Sequence, residues 1–223
     1  NAAFIPSYTG AKLENKKKGK IFADNVLNLL LLLLIFIVTL AEIFTPFFVY
    51  LIAPGFIGDN IKFNLAVELT RITFPFLLFV SLSSFFSGIL NSNNKFAAAS
   101  AAPIILNIVL IIMILISYNY DLNFAKQLSY GVTLAGIIQL VFLIFISWKF
   151  YKPSLRFEFK LSKKIKFFFK KLLPSVLSSG VTQINILIGT IIASFQSGAV
   201  SYLYYADRVY QINLAIAGIA VGT

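Results

Sequence analysis

Leu29-Leu-Leu-Leu-Leu-Leu-Ile-Phe-Ile-Val38 lies within an apolar stretch that extends from residue 23 to residue 53. A helix that crosses a bilayer needs about 20 consecutive apolar residues, and this stretch exceeds that length without the alternation of a transmembrane strand. Further stretches of sufficient length lie at residues 65–90, 97–117, 127–148 and 172–194, and a sixth, which carries polar residues, lies at 200–223. The sequence therefore predicts an all-α, polytopic transmembrane helix bundle.

The composition supports a membrane protein and argues against several kinds of chemistry. Of the 223 residues, 59% are hydrophobic and 12% are charged, and the mean hydropathy is +0.88. Cysteine and histidine are absent, so the sequence offers no disulfide, no thiolate or imidazole metal ligand and no usual general base. The eight Asp and Glu residues are isolated from one another, and no Gly-rich phosphate loop is present. We therefore expect no enzyme activity, no catalytic residue, no metal site and no cofactor.

Lysine and arginine are unevenly distributed between alternate loops. The first loop holds five of the 19, the third holds Lys95 and the fifth holds nine, whereas the intervening loops hold only Lys62 and Lys126. The positive-inside rule therefore places the first, third and fifth loops in the cytoplasm. Because this charge lies beside membrane spans, the net charge of +11 indicates anionic lipid headgroups rather than nucleic acid as the partner.

The fifth loop, at residues 149–171, contains a linker at residues 151–171 that has the composition of a domain boundary. Its lysines occupy one helix face and its apolar residues recur on the other, at Leu161, Ile165, Phe168, Phe169 and the adjoining Leu172. This pattern favours an interfacial amphipathic helix that joins two helix bundles on the cytoplasmic surface. A basic loop that only enforces the topology is the alternative.

Asp207 and Arg208 are adjacent charged residues inside the last apolar stretch. An arginine near the bilayer centre costs roughly 2.5–3.5 kcal/mol on insertion scales, so it usually has a polar pathway or a partner. Adjacent residues on a helix point about 100° apart, so the two side chains cannot share one direction. Arg208 is the candidate anion ligand, because a guanidinium can bind a phosphate through two parallel hydrogen bonds. An interhelical ion pair is the alternative.

Two other patterns place polar groups at membrane depth. Glu68 and Arg71 have the spacing that allows a local ion pair on one helix face near the outer interface. In the stretch 172–194, small or polar residues recur at spacings of three and four and so share one helix face: Ser175, Ser178, Thr182, Asn185 and Gly189. Such a stripe either lines a water-filled path or allows close helix packing.

Several motifs resemble those of one known family, and their order and spacing match along the chain. They are Ala53-Pro-Gly-Phe56, Leu69-Thr-Arg-Ile-Thr-Phe-Pro-Phe76, Gly88-Ile-Leu-Asn91 with Asn94-Lys-Phe-Ala97, Ala102-Pro-Ile-Ile-Leu-Asn107, Tyr202-Leu-Tyr-Tyr-Ala-Asp-Arg208 and Gly218-Ile-Ala-Val-Gly-Thr223. The sequence resembles the MurJ (MviN) lipid II flippase family of the multidrug/oligosaccharidyl-lipid/polysaccharide superfamily. The chain lacks an initiator Met and a signal-peptide pattern, and we interpret it as an internal fragment of such a protein.

The resemblance implies a two-lobe transporter of the bacterial inner membrane. Such a protein moves the lipid-linked peptidoglycan precursor from the cytoplasmic to the periplasmic leaflet by alternating access. On that pattern residues 1–150 complete the N-terminal lobe from the second span through the sixth, 151–171 form the cytoplasmic linker, and 172–223 begin the C-terminal lobe with the seventh and eighth spans. The alternatives are another lipid-linked oligosaccharide flippase, a drug exporter of the same superfamily, or a membrane scaffold for wall synthesis.

The resemblance also assigns roles to individual residues and partners. Arg208 matches a cavity arginine of the family that binds the substrate, and Asp207 matches the residue beside it. The candidate cavity-lining residues are Ser178, Thr182, Asn185 and Tyr205. The implied partners are lipid II, anionic membrane lipids at the linker, and wall-synthesis proteins. Some members carry a sodium-ligand Asp before the Thr that Thr190 matches, whereas this chain has Gly189 there, so the resemblance does not support sodium coupling through that position.

Overall fold

Helices make up the regular secondary structure of the described chain. The computed structural model describes residues 3–154, 180 and 183–222, and no strand occurs among them. The helices are α1 (Phe4–Glu14), α2 (Lys16–Ile43), α3 (Thr45–Ile52), a 3₁₀ turn (Pro54–Phe56), α4 (Asn60–Thr73), α5 (Phe76–Asn91), α6 (Phe96–Asn119), α7 (Phe124–Ser147), α8 (Gln183–Ser194) and α9 (Ala199–Gly222). The predicted all-α class is confirmed.

Several of these helices have the length and composition of membrane spans. Among the described residues, α2, α4 continued by α5, α6 and α7 are long and apolar enough to cross a bilayer. Helix α9 has the length, but Asp207 and Arg208 lower its mean hydropathy. Large side chains such as Ile108, Ile111 and Leu115 of α6 remain exposed, which leaves an apolar surface for lipid tails to cover. The predicted polytopic membrane bundle is therefore confirmed.

The boundaries of α2 differ from the prediction at both ends. The stretch 23–53, predicted as one span, is two helices, because the backbone leaves helical geometry at Phe44 (φ −99°, ψ 19°) and α3 begins at the next residue. The basic residues 12–20, predicted as a loop, form the end of α1 and the first turns of α2. Asn15 separates these helices and caps α2, since its side chain accepts a hydrogen bond from the backbone N–H of Lys17 at 2.8 Å.

The chain separates into two compact units. The first unit comprises Asn1–Phe44 and Glu68–Ser175, and the second comprises Thr45–Val67 and Val176–Thr223. The division into lobes and a linker at residues 151–171 stays a prediction. Most of that linker lies outside the described part of the chain, as do Ser178 and Thr182.

Aromatic packing joins the first helices of the first unit. The Phe4 ring stacks on Phe22 with centroids 6.1 Å apart and lies 5.0 Å from the Phe85 ring, so α1 contacts both α2 and α5. Farther along, α7 approaches α5 at Gly136, where an added Cβ would lie 2.7 Å from the Phe76 ring. A glycine is needed there because the aromatic ring occupies the space that a side chain would take.

Three basic segments meet at one end of the first unit. The Lys12 ammonium donates to Asn93 Oδ1 at 2.5 Å, which joins α1 to the turn after α5. The hydroxyl of Tyr151, after α7, donates to Asp24 Oδ1 at 2.6 Å, and the Ser154 N–H donates to the same oxygen at 3.0 Å. Burial raises the pKa of Tyr151, and the hydrogen bond to the Asp24 carboxylate raises it further. The segments that the positive-inside rule assigned to the cytoplasm thus share one side.

Glu68 forms an ion pair with another helix and not along its own. Its Oε1 lies 2.7 Å from the Lys126 ammonium in the first turn of α7, whereas the sequence suggested a local pair with Arg71. The Thr133 hydroxyl also donates to the Ile72 carbonyl, so α4 and α7 are joined twice. The prediction was wrong because spacing along one helix cannot reveal a cation that folding brings from another.

Close backbone contact holds the second unit together. The Gly55 N–H donates to Ser194 Oγ at 3.0 Å, and a Cβ added to Gly55 would lie 2.3 Å from the Ser194 carbonyl oxygen. Only glycine allows this approach between the 3₁₀ turn and the end of α8. Gly198, with φ of +75°, then allows the turn from α8 into α9. These glycines position α9, the helix that carries Asp207 and Arg208.

Candidate functional site

Helix α9 presents a connected row of polar side chains. Tyr204, Arg208 and Gln211 lie on one face because their spacings are four and three residues. Asp207 directly precedes Arg208 and is connected to this row by a hydrogen bond from Gln211. The helix is exposed along this region, and Asp207 alone is half-buried among the four residues.

The guanidinium of Arg208 is held by neighbours on its own helix. One terminal nitrogen donates to the Tyr204 hydroxyl at 2.6 Å, and the other donates to Gln211 Oε1 at 3.3 Å. The guanidinium carbon also lies 4.9 Å from the centroid of the Tyr204 ring, in cation–π contact. A guanidinium has five N–H donors, so within the described part of the chain most of them remain for an external acceptor. The site can therefore present an oriented positive charge to an anion.

Asp207 is connected to Arg208 only through a shared amide. Gln211 Nε2 donates to Asp207 Oδ2 at 2.6 Å, while the oxygen of the same amide accepts from Arg208. In the described residues neither charge makes an ion pair with another helix, so the interhelical alternative gains no support. Sequence reasoning missed Gln211. Its spacing of four residues from Asp207 and three from Arg208 is the signal that could have found it.

The structure describes only two of the four candidate lining residues. Asn185 of α8 and Tyr205 of α9 are both exposed, and the described hydrogen bonds join neither of them to Arg208. Gly189 faces α9, because an added Cβ would lie 3.4 Å from Leu203. At this position the small-residue stripe serves close helix packing, which is one of its two predicted roles.

The described residues contain no group of three or more His, Cys, Asp or Glu side chains that could hold a metal ion. On helix α9 the side chains offer charge and hydrogen bonding. Arg208 supplies the charge, and Tyr204 and Gln211 orient it.

Comparison with known proteins agrees with this reading of the sequence. The family model described as lipid II flippase MurJ matches residues 1–223. The chain belongs to the MurJ family. The resemblance predicted from the motifs is thereby confirmed over the full length of the chain.

MurJ relatives from several bacteria are similar to this chain. Proteins named probable lipid II flippase MurJ are 42% identical over 226 residues in Rickettsia prowazekii (strain Madrid E), 39% over 228 residues in Rhizobium tropici and 36% over 231 residues in Rhizobium meliloti (strain 1021). Each match covers 100% of this chain and 44%, 43% and 43% of the relative, respectively. The chain thus spans less than half the length of these MurJ proteins, all of which are named as flippases.

Two of the MurJ-like motifs have clear structural roles. In Ala53-Pro-Gly-Phe56, Gly55 makes the contact with Ser194 that holds the second unit together. In the motif after α5, Asn94 adopts φ of +59°, a left-handed conformation that asparagine tolerates better than most residues, and the turn into α6 follows. These motifs maintain the fold, whereas the motif around Asp207 and Arg208 carries exposed charge.

Proposed function

We propose that this chain is part of a flippase that moves lipid II, the undecaprenyl-pyrophosphate-linked peptidoglycan precursor. Transport runs from the cytoplasmic to the periplasmic leaflet of the bacterial inner membrane by alternating access. Membership of the MurJ family over residues 1–223 supports this proposal, as do the helices long enough to cross a membrane. No covalent chemistry on the cargo is required, because the lipid only changes leaflets.

Arg208 is the proposed ligand for the anionic headgroup of the cargo. The observation that carries this proposal is the orientation of its guanidinium by Tyr204 and Gln211, which hold the group without neutralising it. A bidentate hydrogen bond from arginine to a phosphate is short and charge-assisted. Asp207 acts through Gln211 by fixing that amide, and Asn185 and Tyr205 contribute to the lining of the cavity.

The remaining parts of the proposal concern the arrangement of the chain. Residues 1–150 belong to the N-terminal lobe, residues 151–171 form a basic linker on the cytoplasmic surface, and residues 172–223 begin the C-terminal lobe. Anionic membrane lipids bind the linker, because its lysines lie beside membrane spans. Wall-synthesis proteins are the proposed protein partners.

The test uses the whole protein in cells whose native flippase is depleted. Arg208→Ala is expected to abolish growth, and Arg208→Lys is expected to restore it in part, since a lysine keeps the charge but loses the planar fork. Lys62→Ala is the matched control. Lys62 also belongs to the second unit and also contacts a ring, with its ammonium 4.1 Å from the centroid of Phe56. The control is expected to grow normally.

Membrane abundance of each variant is measured alongside growth, so that loss of protein is separated from loss of function. Full complementation by Arg208→Ala would refute the headgroup role. Accessibility of lipid II at the outer leaflet separates transport from a scaffold role. A scaffold would lose function when the linker lysines are neutralised but not when Arg208 is replaced.

A further inference from the structure

Tyr205 of α9 lies beside Arg208 on one face of the helix. The two residues are three positions apart, so their Cβ atoms are about 5–6 Å apart and their side chains point within about 60° of each other. The side chain of Tyr205 is exposed, at 68%. An open aromatic ring therefore adjoins the guanidinium that is proposed to bind the headgroup of the cargo.

Tyr204, the residue before it, has a different role. Its hydroxyl accepts a hydrogen bond from the Arg208 guanidinium at 2.6 Å, and its ring lies 4.9 Å from the guanidinium carbon. Among the described residues, no hydrogen bond or ring contact involves the side chain of Tyr205. Tyr204 thus orients the charge, whereas the ring of Tyr205 remains available to a ligand.

The face of α9 that carries Tyr205 and Arg208 points away from α8. The two helices meet at Gly189, where an added Cβ would lie 3.4 Å from the side chain of Leu203. Leu203 precedes Tyr205 by two residues and therefore lies on nearly the opposite side of α9. The packing of α9 against α8 thus leaves this face open.

An aromatic ring beside a guanidinium suits the two parts of a sugar phosphate. The phosphate accepts charge-assisted hydrogen bonds from arginine. The faces of a sugar ring carry C–H bonds that its oxygens polarise, and these pack against the electron-rich face of an aromatic ring. A sugar is joined to its phosphate through one oxygen, so the two groups are neighbours, as are the side chains of Tyr205 and Arg208. A hydrocarbon tail would suit the ring but not the guanidinium.

We propose that Tyr205 stacks on the sugar ring that is attached to the pyrophosphate of the cargo. This inference rests on the proposed function, because it takes Arg208 as the ligand of the phosphate. It adds recognition of a sugar to recognition of charge. Tyr205 thereby distinguishes a pyrophosphate lipid that carries its sugar from one that has lost it.

The experiment measures the binding of two lipids to the whole protein in detergent by native mass spectrometry. One probe is undecaprenyl pyrophosphate, and the other is the same lipid with a single N-acetylglucosamine on its pyrophosphate. The effect of each substitution is compared between the two probes. This comparison cancels the additional negative charge on the sugar-free pyrophosphate.

Tyr205→Ala is expected to weaken binding of the sugar-bearing probe by about threefold to tenfold, and that of the sugar-free probe by less than about twofold. Tyr205→Phe is expected to bind both probes as the parent does, because it keeps the ring. Tyr210→Ala is the matched control, since Tyr210 is 60% exposed on the same helix but lies nearly opposite Arg208. The control is expected to change neither affinity by more than about twofold. Thermal unfolding of all variants checks that the fold is kept.

Equal weakening of both probes by Tyr205→Ala would overturn the sugar contact in favour of a general wall of the site. Unchanged affinity for both probes would place the ring against lipid tails. Loss of the sugar-bearing probe in Tyr205→Phe would assign the interaction to the hydroxyl and not to the ring. An error in the proposed headgroup role would appear differently, as unchanged affinity of Arg208→Ala for both probes.

Discussion

Tyr151→Phe removes one hydroxyl from the first unit and leaves the ring in place. That hydroxyl donates to Asp24 Oδ1 at 2.6 Å, while the ring packs edge-on against Phe85 with centroids 5.9 Å apart. A hydrogen bond to a charged group contributes about 1.5–3 kcal/mol. Asp24 keeps its bond from the Ser154 N–H at 3.0 Å, so its carboxylate is not left without a partner. We therefore expect a loss of about 2 kcal/mol in the free energy of unfolding.

The same hydroxyl makes stability depend on alkaline pH. The pKa of Tyr151 is raised above its usual 10.0, first by burial and then by the Asp24 carboxylate. A raised pKa in the folded state means that the contribution is complete below pH 10 and is lost as pH rises above it. The parent protein should lose up to about 1.4 kcal/mol per pH unit through this group, and the Phe variant should not.

Denaturant unfolding of the whole protein in micelles, followed by circular dichroism at pH 8 and pH 11, measures both effects. The difference between parent and variant at each pH cancels the titration of other tyrosines. A double-mutant cycle with Asp24→Asn isolates the pairwise interaction. The Phe variant could prove as stable as the parent at pH 8, or could lose as much free energy of unfolding between pH 8 and pH 11. Either result would show that this hydrogen bond does not stabilise the contact between α2 and the segment after α7.

Two further predictions concern contacts between helices. Gly55→Ala should destabilise the protein by roughly 1–3 kcal/mol, because its Cβ would lie 2.3 Å from the Ser194 carbonyl oxygen. Gly58→Ala is the control, because no atom lies within 4 Å of the new Cβ, and its stability is expected to change by less than about 0.5 kcal/mol. Equal losses of stability in the two variants, measured by thermal unfolding, would contradict the contact between Gly55 and Ser194. Lys126→Gln should lower the thermal unfolding midpoint only slightly, because its ion pair with Glu68 is partly exposed. The charge-swapped pair Glu68→Lys/Lys126→Glu should recover that loss in the same assay, and no recovery would argue against pairing.

Much of the fold could be predicted from the sequence, because the bilayer imposes one rule on every span. Long apolar stretches must be helical to satisfy their backbone hydrogen bonds, so hydropathy alone indicated α2, α5, α6 and α7. The break after Ile43 is marked in the sequence by Pro46, because proline has no N–H to continue the helix ladder and is tolerated in the first turn of a helix such as α3. The helical state of residues 12–20 was missed, since a run of lysines is typical of a loop unless Asn15 is recognised as a cap.

The candidate site was only partly predictable. The charge of Arg208 stood out in an apolar stretch, and the family resemblance gave it a role. Tyr204 and Gln211, which accept hydrogen bonds from its guanidinium, lie on the same helix. Their spacing from Arg208 could have identified them. The cavity of about 460 Å³ at the basic end of the first unit, which five lysines line, could not be found that way. It combines residues that are more than 130 positions apart, such as Lys12 and Lys149, and their meeting depends on packing around Gly19 and Asn93.

The contact between Gly55 and Ser194 has a consequence for the order of events during synthesis. The two residues are separated by 139 positions, so the 3₁₀ turn emerges long before its partner exists. At about 5–20 residues per second the wait lasts roughly 7–28 s. During that time the chain between them, which includes α4 through α7, is synthesised. The earlier part of the second unit, Thr45–Val67, is therefore complete before the residue that it contacts has been translated.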